Sequence, residues 1–443
     1  RLRRPGALRG SAYADEVTST ALMTDRYELT MLQAALADGT AHRRSVFELF
    51  SRRLTGGRRY GVVAGLGRAL DALEQFRFGE AELTWLRDAG VVDAPTLDWL
   101  ADYRFSGSIW GYAEGEVYLP HSPVVVVEST FAEGVLLETL LLSILNHDSA
   151  IASAGARMIA AAAGRPCIEM GSRRTHEEAA VAAARAADLV GFSATSNLEA
   201  GRRHGVPTTG TSAHAFTLLH DTERDAFTAQ VDSLGTGTTL LVDTYDVAEA
   251  IRTAVDVAGP ELGAVRIDSG DLVALAHQVR QQLDDLGATD TRIIVTSDLD
   301  EHAIAALAAA PVDGYGVGTS LVTGSGVPTS GFVYKLVSRA DDTGGMVPVA
   351  KASTAKTSVG GRKHAVRRLT GGVARAELVG VGEPPAHDGD DRSLLVELVS
   401  EGERVHRPTR QESAAHHRRA MAELPAAATQ LSPGGPVIDT VLT

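Results

Sequence analysis

From residue 166 onward the chain repeats one unit: a short apolar run, a polar turn and an alanine-rich stretch with helical spacing. Short apolar runs that alternate with helical stretches are typical of βα units in a parallel sheet. With this many units we expect a closed or nearly closed α/β barrel rather than an open sheet. The runs are residues 166–170, 206–209, 239–242, 264–267, 293–295 and 314–317.

Every run ends in a turn that carries charged, hydroxyl or glycine residues. Barrel enzymes place their chemistry at the carboxyl ends of the strands, so these turns predict one shared site. One polar turn would be explained as a solvated loop, but six in succession favour a site. The turn residues whose side chains could take part in catalysis or ligand binding are Arg173, Arg174, Thr211, His214, Asp243, Asp246, Asp268, Asp271, Asp298 and Thr319.

The turn at residues 210–213 leads into a helical stretch that starts near His214. A helix N-terminus offers free backbone N–H groups and a positive dipole end, which suit an anion. A histidine there can act as nucleophile, general acid or base, or metal ligand. The alternative is a histidine that only packs or hydrogen-bonds beneath the turn, and the turn alone leaves both interpretations open.

Two other turns have the composition of ligand-binding loops. The DSGD sequence sets Asp268 and Asp271 around a flexible Ser-Gly pair, which suits Mg²⁺ held partly through water, or ribose hydroxyls. Alternatively, Asp271 simply caps the next helix. The GVGTS sequence at residues 316–320 can bring backbone N–H groups onto a phosphate, or it forms a plain tight turn.

Arginines supply the cationic groups near these turns. Arg266 shares a strand face with Asp268, and its guanidinium matches either a ligand carboxylate or that aspartate in a structural pair. In the GSRRTHE turn, we expect one of Arg173 and Arg174 to hold an anion and the other to pair with the glutamates at 177–178.

The charge balance narrows the class of partner. The chain has 443 residues, with 42 basic and 56 acidic side chains and a net charge of -14, so it is a poor non-specific binder of nucleic acid or anionic membranes. No apolar run reaches the roughly 18 residues needed to span a bilayer. The basic N-terminus lacks the apolar core of a secretory signal, so we expect a cytoplasmic protein.

Four regions are expected along the chain. Residues 1–20 form a disordered tail, 21–130 an N-terminal α+β domain, 131–340 the catalytic α/β barrel and 341–443 a small C-terminal module.

Near residues 351–368 a Gly-, Ser- and Lys-rich segment fits either a phosphate-contacting loop or an ordinary hairpin. No lysine precedes Lys335, which argues against a barrel aldolase or decarboxylase acting through a Schiff base.

Taken together, the motifs resemble those of the nicotinate phosphoribosyltransferase family. The matching stretches run through residues 21–365 and include LMTDRYELTM, IEMGSRRTHE, GVPTTGTSAHAF, VRIDSGDL and GYGVGTSLVT. The resemblance implies an irregular α/β barrel of the type II phosphoribosyltransferase class. It also implies synthesis of nicotinate mononucleotide and pyrophosphate from nicotinate and phosphoribosyl pyrophosphate, coupled to ATP hydrolysis, in NAD biosynthesis. One alternative is a related enzyme that uses nicotinamide or quinolinate. Another is a non-catalytic nucleotide sensor, but such a sensor would be expected to lack His214 or the acidic turn.

The resemblance also implies roles for individual residues. His214 corresponds to a histidine that ATP phosphorylates. From the DSGD turn we expect Asp268 and Asp271 as further catalytic residues, with Mg²⁺ as a cofactor whose ligands the sequence leaves open. A homodimer is implied, in which the N-terminal domain of one subunit caps the barrel of the other. Ser129 and Asp188 depart from residues common in relatives, a glycine and an aromatic. The implied nicotinate contacts are Tyr27, Thr211 and Arg266, and the implied contact to the phosphoribosyl phosphate is Thr319. From the composition of the turns we expect further contacts to phosphoribosyl pyrophosphate from Arg173, Ser269, Gly270 and Gly318.

Overall fold

The computed structural model of the protein describes residues 19–351 and 359–443. The expected N-terminal tail therefore lies, up to residue 18, outside the described residues, as does the stretch around Lys356. Fifteen α-helices occur in the described ranges: α1 Arg26–Asp38, α2 Leu66–Glu74, α3 Glu80–Asp88, α4 Ala94–Ala101, α5 Phe131–Val135, α6 Glu138–Ala162, α7 Glu177–Val190, α8 Leu198–His204, α9 His214–Leu219, α10 Glu223–Leu234, α11 Val247–Ala258, α12 Leu272–Asp285, α13 Glu301–Ala306, α14 Thr319–Val322 and α15 Arg410–Ala422.

Three larger sheets and one two-stranded ribbon hold the strands of the same ranges. None of the described helices is long and apolar enough to cross a bilayer. The strands are β1 Arg44–Ser51, β2 Gly61–Val62, β3 Ser108–Tyr112, β4 Val117–Tyr118, β5 Val125–Thr130, β6 Cys167–Glu169, β7 Ala194–Thr195, β8 Thr239–Leu241, β9 Ala264–Ile267, β10 Arg292–Ser297, β11 Gly314–Val317, β12 Phe332–Ala340, β13 Met346–Pro348, β14 Lys363–Thr370, β15 Val373–Val381, β16 Arg392–Ser393, β17 Leu395–Ser400, β18 Glu403–Arg404 and β19 Asp439–Leu442.

The predicted α/β barrel is present as a six-stranded parallel sheet in the order β7-β6-β11-β10-β9-β8, with helices between its strands. Five of the six predicted runs are strands of this sheet. The run at 206–209 instead forms a single bridge, from Thr208 to Thr195 of the unexpected short strand β7. Pro207 lies in that run and has no N–H to donate, so a full ladder is not available there. The barrel is therefore open between this run and β8.

A second, seven-stranded sheet joins distant parts of the chain in the order β13-β12-β1-β5-β3-β17-β18. Strands from before the barrel, β1, β3 and β5, are flanked by strands from after it. The division of the chain at residues 130 and 340 stays a prediction. At the start of β14, the Nζ of Lys363 lies 2.6 Å from the carboxylate of Glu48 on β1 and both side chains are buried, so this lysine has a structural role.

The long helix α6 links the two main parts of the core. Its first half contributes Leu140, Leu141 and Leu145 to the apolar cluster beneath the seven-stranded sheet. Its second half contributes Ile151 and Met158 to the cluster around the parallel sheet. Burial of such side chains stabilises a fold by about 1.5–3 kcal/mol each. One helix packed into both cores holds the parallel sheet, and the turns at its carboxyl edge, in a defined position.

Candidate active site

A cleft of about 240 Å³ lies at the carboxyl edge of β6, β9, β10 and β11. Four of the predicted turns contribute to it, because the ends of neighbouring parallel strands lie along one edge of the sheet. Five of the predicted catalytic and substrate-binding residues line this cleft, namely Arg173, Arg266, Asp268, Gly318 and Thr319. The full lining is Met170, Arg173, Arg174, Arg266, Asp268, Thr296, Ser297, Asp298, Gly316, Gly318 and Thr319.

Arg266 connects the cleft to the turn before α9. Its Nη1 donates to Thr211 Oγ1 at 2.9 Å and to the Ser212 carbonyl at 3.1 Å, across the opening of the barrel. Its Nη2 lies 3.8 Å from Asp268 Oδ1, longer than a hydrogen bond, and its buried Nε has no partner among the described residues. Burial lowers the pKa of this guanidinium. The group retains donors for a ligand carboxylate, for which its planar fork is suited.

His214 is the first residue of α9, as its turn predicted, and it is partly accessible, with 40% of its side chain exposed. Its Nδ1 lies 3.1 Å from Thr244 Oγ1, and its Nε2 lies 3.9 Å from Asp243 Oδ1. A histidine that only packed beneath the turn would be buried. The imidazole is instead oriented by a hydroxyl on one side and open to solvent, which suits a reactive role.

Asp243 joins two of the turns, although it is not among the expected ligand contacts. Its buried Oδ2 accepts from the backbone N–H of Asp268 at 2.9 Å and from Ser269 Oγ at 2.8 Å. Its Oδ1 faces His214 and has no hydrogen-bond partner in the part of the chain that the structure describes. The sequence singled out Asp243 by its place at the end of a strand, without a role of its own.

The DSGD turn is shaped by its own hydrogen bonds. The Thr296 hydroxyl donates to Asp268 Oδ1, and Gly270 has a φ of 90°, which favours glycine. Asp271 is exposed and accepts from Ala274 N at 3.1 Å, so it caps α12 as the alternative interpretation held. Within residues 19–351 and 359–443, no group of three or more candidate side chains is arranged to enclose a metal ion.

Arg173 and Arg174 both line the cleft, and neither forms an ion pair with any described residue. The expectation that one of them pairs with a neighbouring glutamate is wrong. Glu178 binds Arg203 at 2.6 Å, and Glu177 lies 3.7 Å from His176. Both glutamates are exposed at the start of α7, and so both arginines are available to a ligand.

Glycines leave little space at the end of β11 and in the turn after it. A Cβ on Gly316 would lie 2.4 Å from Thr296 Cγ2 and 2.7 Å from Met170 Sδ, so a side chain there would fill the floor of the cleft. Gly318 precedes Thr319, the first residue of α14. The backbone N–H groups at the start of such a turn suit a phosphate oxygen.

Glu169 is a further buried residue behind the site that the sequence motifs did not single out. Its carboxylate accepts from the Gly171 N–H and from the Thr195 hydroxyl. Burial raises its pKa. It thereby ties the GSRRTHE turn to Thr195 of β7, which bridges to Thr208 in the run before Thr211.

Tyr27 is a predicted nicotinate contact that does not line the cleft. It is on α1, is 44% exposed and lies beside Glu138 and Thr139. Burial, then the neighbouring carboxylates, raise its pKa to about 12. Within one chain, Tyr27 does not line the cleft.

Comparisons with known proteins agree with this architecture. Residues 22–146 match the family model of the nicotinate phosphoribosyltransferase N-terminal domain, and residues 166–372 match that of the nicotinate phosphoribosyltransferase family. The chain is 56% identical to nicotinate phosphoribosyltransferase pncB1 of Mycobacterium tuberculosis over 450 aligned residues, which cover 98% of both chains. It is 39% identical to the Bacillus subtilis nicotinate phosphoribosyltransferase, over 80% of this chain and 74% of that protein.

Among solved structures, human nicotinic acid phosphoribosyltransferase superimposes with a TM-score of 0.81 at 24% identity. The superposition covers 95% of this chain and 97% of the human chain. At this identity the likeness concerns the fold alone, which is the expected type II phosphoribosyltransferase fold.

Proposed function

Because the chain belongs to the nicotinate phosphoribosyltransferase family, we propose that it forms nicotinate mononucleotide and pyrophosphate from nicotinate and phosphoribosyl pyrophosphate. The observation that carries this proposal is Arg266, held against Thr211 in a cleft with two unpaired arginines. The pyridine nitrogen attacks C1 of the ribose. The bond from C1 to the pyrophosphate oxygen breaks, and its electron pair leaves with pyrophosphate.

No protein nucleophile is needed for this transfer, so the chain contributes positioning and charge. Arg266 and Thr211 hold the nicotinate carboxylate near the opening of the barrel. The phosphoribosyl pyrophosphate lies along the strand ends, where cationic and backbone N–H groups neutralise its phosphates. Its contacts are Arg173, Ser269, Gly270, Gly318 and Thr319.

Mg²⁺ fits the acidic side of the same cleft. Asp268 lines the cleft, and Asp243 lies behind it against the DSGD turn. Both offer carboxylate oxygens, and Asp243 Oδ1 has no hydrogen-bond partner among the described residues. Mg²⁺ is usually held by one or two carboxylates together with water and substrate phosphates, so an enclosing set of protein ligands is not required. The ion would neutralise charge on the pyrophosphate.

ATP is the proposed co-substrate, and His214 the group that it phosphorylates. In the tautomer whose Nδ1–H donates to Thr244, the Nε2 lone pair is free to attack the γ-phosphorus. An N–P bond forms as ADP leaves, and water later cleaves that bond to release phosphate. The phosphohistidine adds negative charge beside the DSGD turn and couples ATP hydrolysis to synthesis.

The experiment that tests the reaction is a parallel assay with nicotinate, nicotinamide and quinolinate, each with and without ATP. We expect nicotinate to be the preferred substrate and ATP to stimulate its conversion. A neutral amide cannot accept two charge-assisted hydrogen bonds from Arg266, and Ser212 offers no anion to bind an amide NH₂. Faster conversion of nicotinamide or quinolinate would contradict the assignment of Arg266 and Ser212.

We also propose a homodimer in which Tyr27 completes the site of the partner subunit. Tyr27 lies among the exposed apolar side chains of Leu22, Met23 and Met31, whereas Leu219 and Tyr245 are exposed on the barrel side. Exposed apolar patches mark interaction surfaces, and a two-fold axis would bring each patch to the other subunit.

Mixing two inactive variants tests this arrangement. Tyr27→Ala and Arg266→Ala homodimers are each expected to have low activity. After exchange of subunits, half of the dimers are mixed and carry one intact site of two, so about a quarter of the wild-type activity should return. Sedimentation monitors the dimer, and Thr211→Ala mixed with Arg266→Ala is the control that should not recover, because both substitutions lie on the barrel side of the site. No recovery despite exchange would place Tyr27 in its own subunit's site.

A further inference from the structure

A second cleft lies on the flank of the barrel and shares no lining residue with the first. One wall comes from α2, α7 and the end of α8, and the other from residues 404–413 and the start of α15. It consists of two adjoining cavities of about 220 and 450 Å³. Both cavities are lined by Glu114, His406, Pro408 and Ser413. Their joint size would admit a small metabolite.

The carboxylates on the walls of the 220 Å³ cavity already have cationic partners. Arg185 binds Glu114 through two contacts of 2.6 Å. Arg404 lies 2.5 Å from Asp71. Asp188 lies 2.5 Å from Arg410 at the start of α15. This is the position at which the family resemblance leads us to expect an aromatic residue. These pairs neutralise the acidic groups, so the walls offer little attraction for a cationic ligand.

The groups that remain without partners are mostly potential donors. The Nε2 of His406 is buried and has no hydrogen bond in the described part of the chain. The ring of His204 forms none with any described residue, and the Ser413 hydroxyl is nearly buried at the junction of the cavities. Arg419, on the 450 Å³ side, has no ion pair in the same ranges. A buried polar atom without a partner carries a desolvation cost that a ligand can remove.

We propose that this flank cleft binds a small phosphate-bearing anion, with His406, His204 and Ser413 as its contacts. The phosphoryl group has the acceptor oxygens that these three groups lack, and its charge is complementary to protonated imidazole. Free phosphate and a nucleotide both carry a dianionic phosphoryl group, and this group is what the cleft is proposed to recognise.

Protonation of the two histidines should be coupled to binding. Burial lowers the pKa of His406; Arg404 and His416 lower it further, whereas Glu114 and Glu412 raise it. Burial also lowers the pKa of His204, as do Arg185, Arg68 and Arg203, whereas Asp71 raises it. A bound anion favours the charged imidazole and raises both pKa values. Binding of the dianion should therefore take up protons and become tighter as the pH falls from 8 to 7, a range above the second pKa of about 6 of a phosphomonoester.

Calorimetric titration of the full chain tests the proposal, with inorganic phosphate and AMP as separate probes. The barrel cleft is first saturated with nicotinate mononucleotide and pyrophosphate. We expect one further site per chain, with proton uptake revealed by buffers of different ionisation enthalpy. Equal affinity for both probes would assign recognition to the phosphoryl group alone, and tighter binding of AMP would assign it to a nucleotide.

Variants separate this site from the barrel cleft. His406→Ala and Ser413→Ala are expected to weaken the further site about tenfold, which is about 1.4 kcal/mol. His406→Gln, which keeps a donor, should retain binding but lose part of the proton uptake, and the exposed His302→Ala is the matched control. If the proposed enzymatic function is wrong, nicotinate mononucleotide and pyrophosphate will not bind in the barrel cleft, and binding of phosphate and AMP in the flank cleft will be unchanged. Binding that is absent, or lost in Arg266→Ala but unchanged in His406→Ala, would overturn the proposal.

Discussion

His214→Ala is expected to abolish ATP hydrolysis and to leave slow, ATP-independent synthesis of nicotinate mononucleotide at high substrate concentrations. The glycosyl transfer needs no protein nucleophile, so removal of the imidazole should spare that step. ATP hydrolysis, in contrast, is proposed to pass through an N–P bond at His214. Loss of a nucleophile removes a covalent route altogether, so we expect hydrolysis to fall to background.

Labelling with γ-³²P ATP measures this directly. The wild-type protein should acquire an acid-labile, base-stable phosphate, which is typical of phosphohistidine, and His214→Ala should not. His220→Ala is the matched control, because His220 ends the same helix and its ring contacts the Phe216 carbonyl. Undiminished label in His214→Ala would place the phosphate elsewhere.

Arg266→Ala is expected to raise the KM for nicotinate strongly. The substitution removes the donors proposed for the carboxylate and leaves the Thr211 hydroxyl and Ser212 carbonyl without their partner. Truncation of a buried charged hydrogen-bonding partner costs about 2–5 kcal/mol, which corresponds to a KM increase of about 30-fold or more. Arg266→Lys should recover only part of this loss, because an ammonium group cannot form the bidentate contact.

Steady-state kinetics with nicotinate and nicotinamide measure the effect. The nicotinate KM should rise much more than that for nicotinamide, since only the acid has a carboxylate to lose. Arg292→Ala is the matched control, because Arg292 is exposed at the opposite end of β10. Equal losses for both substrates would indicate that Arg266 supports the cleft rather than the carboxylate.

The sequence alone predicted the parallel sheet and the edge at which the candidate cleft lies. Both follow from local signals: apolar runs with strand propensity, helical spacing after them and turns between. Because the carboxyl ends of parallel strands meet at one edge, Arg266, Asp268 and Thr319 could be assigned to one cleft without coordinates. The roles of these residues towards substrate stay predictions.

Contacts between distant segments could not be inferred in this way. Strand β12 lies far from β1 in sequence and yet pairs with it, and so the seven-stranded sheet combines regions that composition separates. Asp188 is an unexplained departure in the sequence and an ion-pair partner of Arg410 in the structure. Neither pairing is encoded in any local pattern.

What the sequence determined by itself was therefore the βα order, the chemical groups in each turn and the family resemblance, because propensity, spacing and motif are properties of neighbouring residues. Only the tertiary structure decided how these groups are partnered. It left Arg173 and Arg174 unpaired, set Asp243 between His214 and the DSGD turn, and kept Tyr27 outside the cleft of its own chain. Such choices depend on side chains that meet through folding, across separations that no short window of sequence contains.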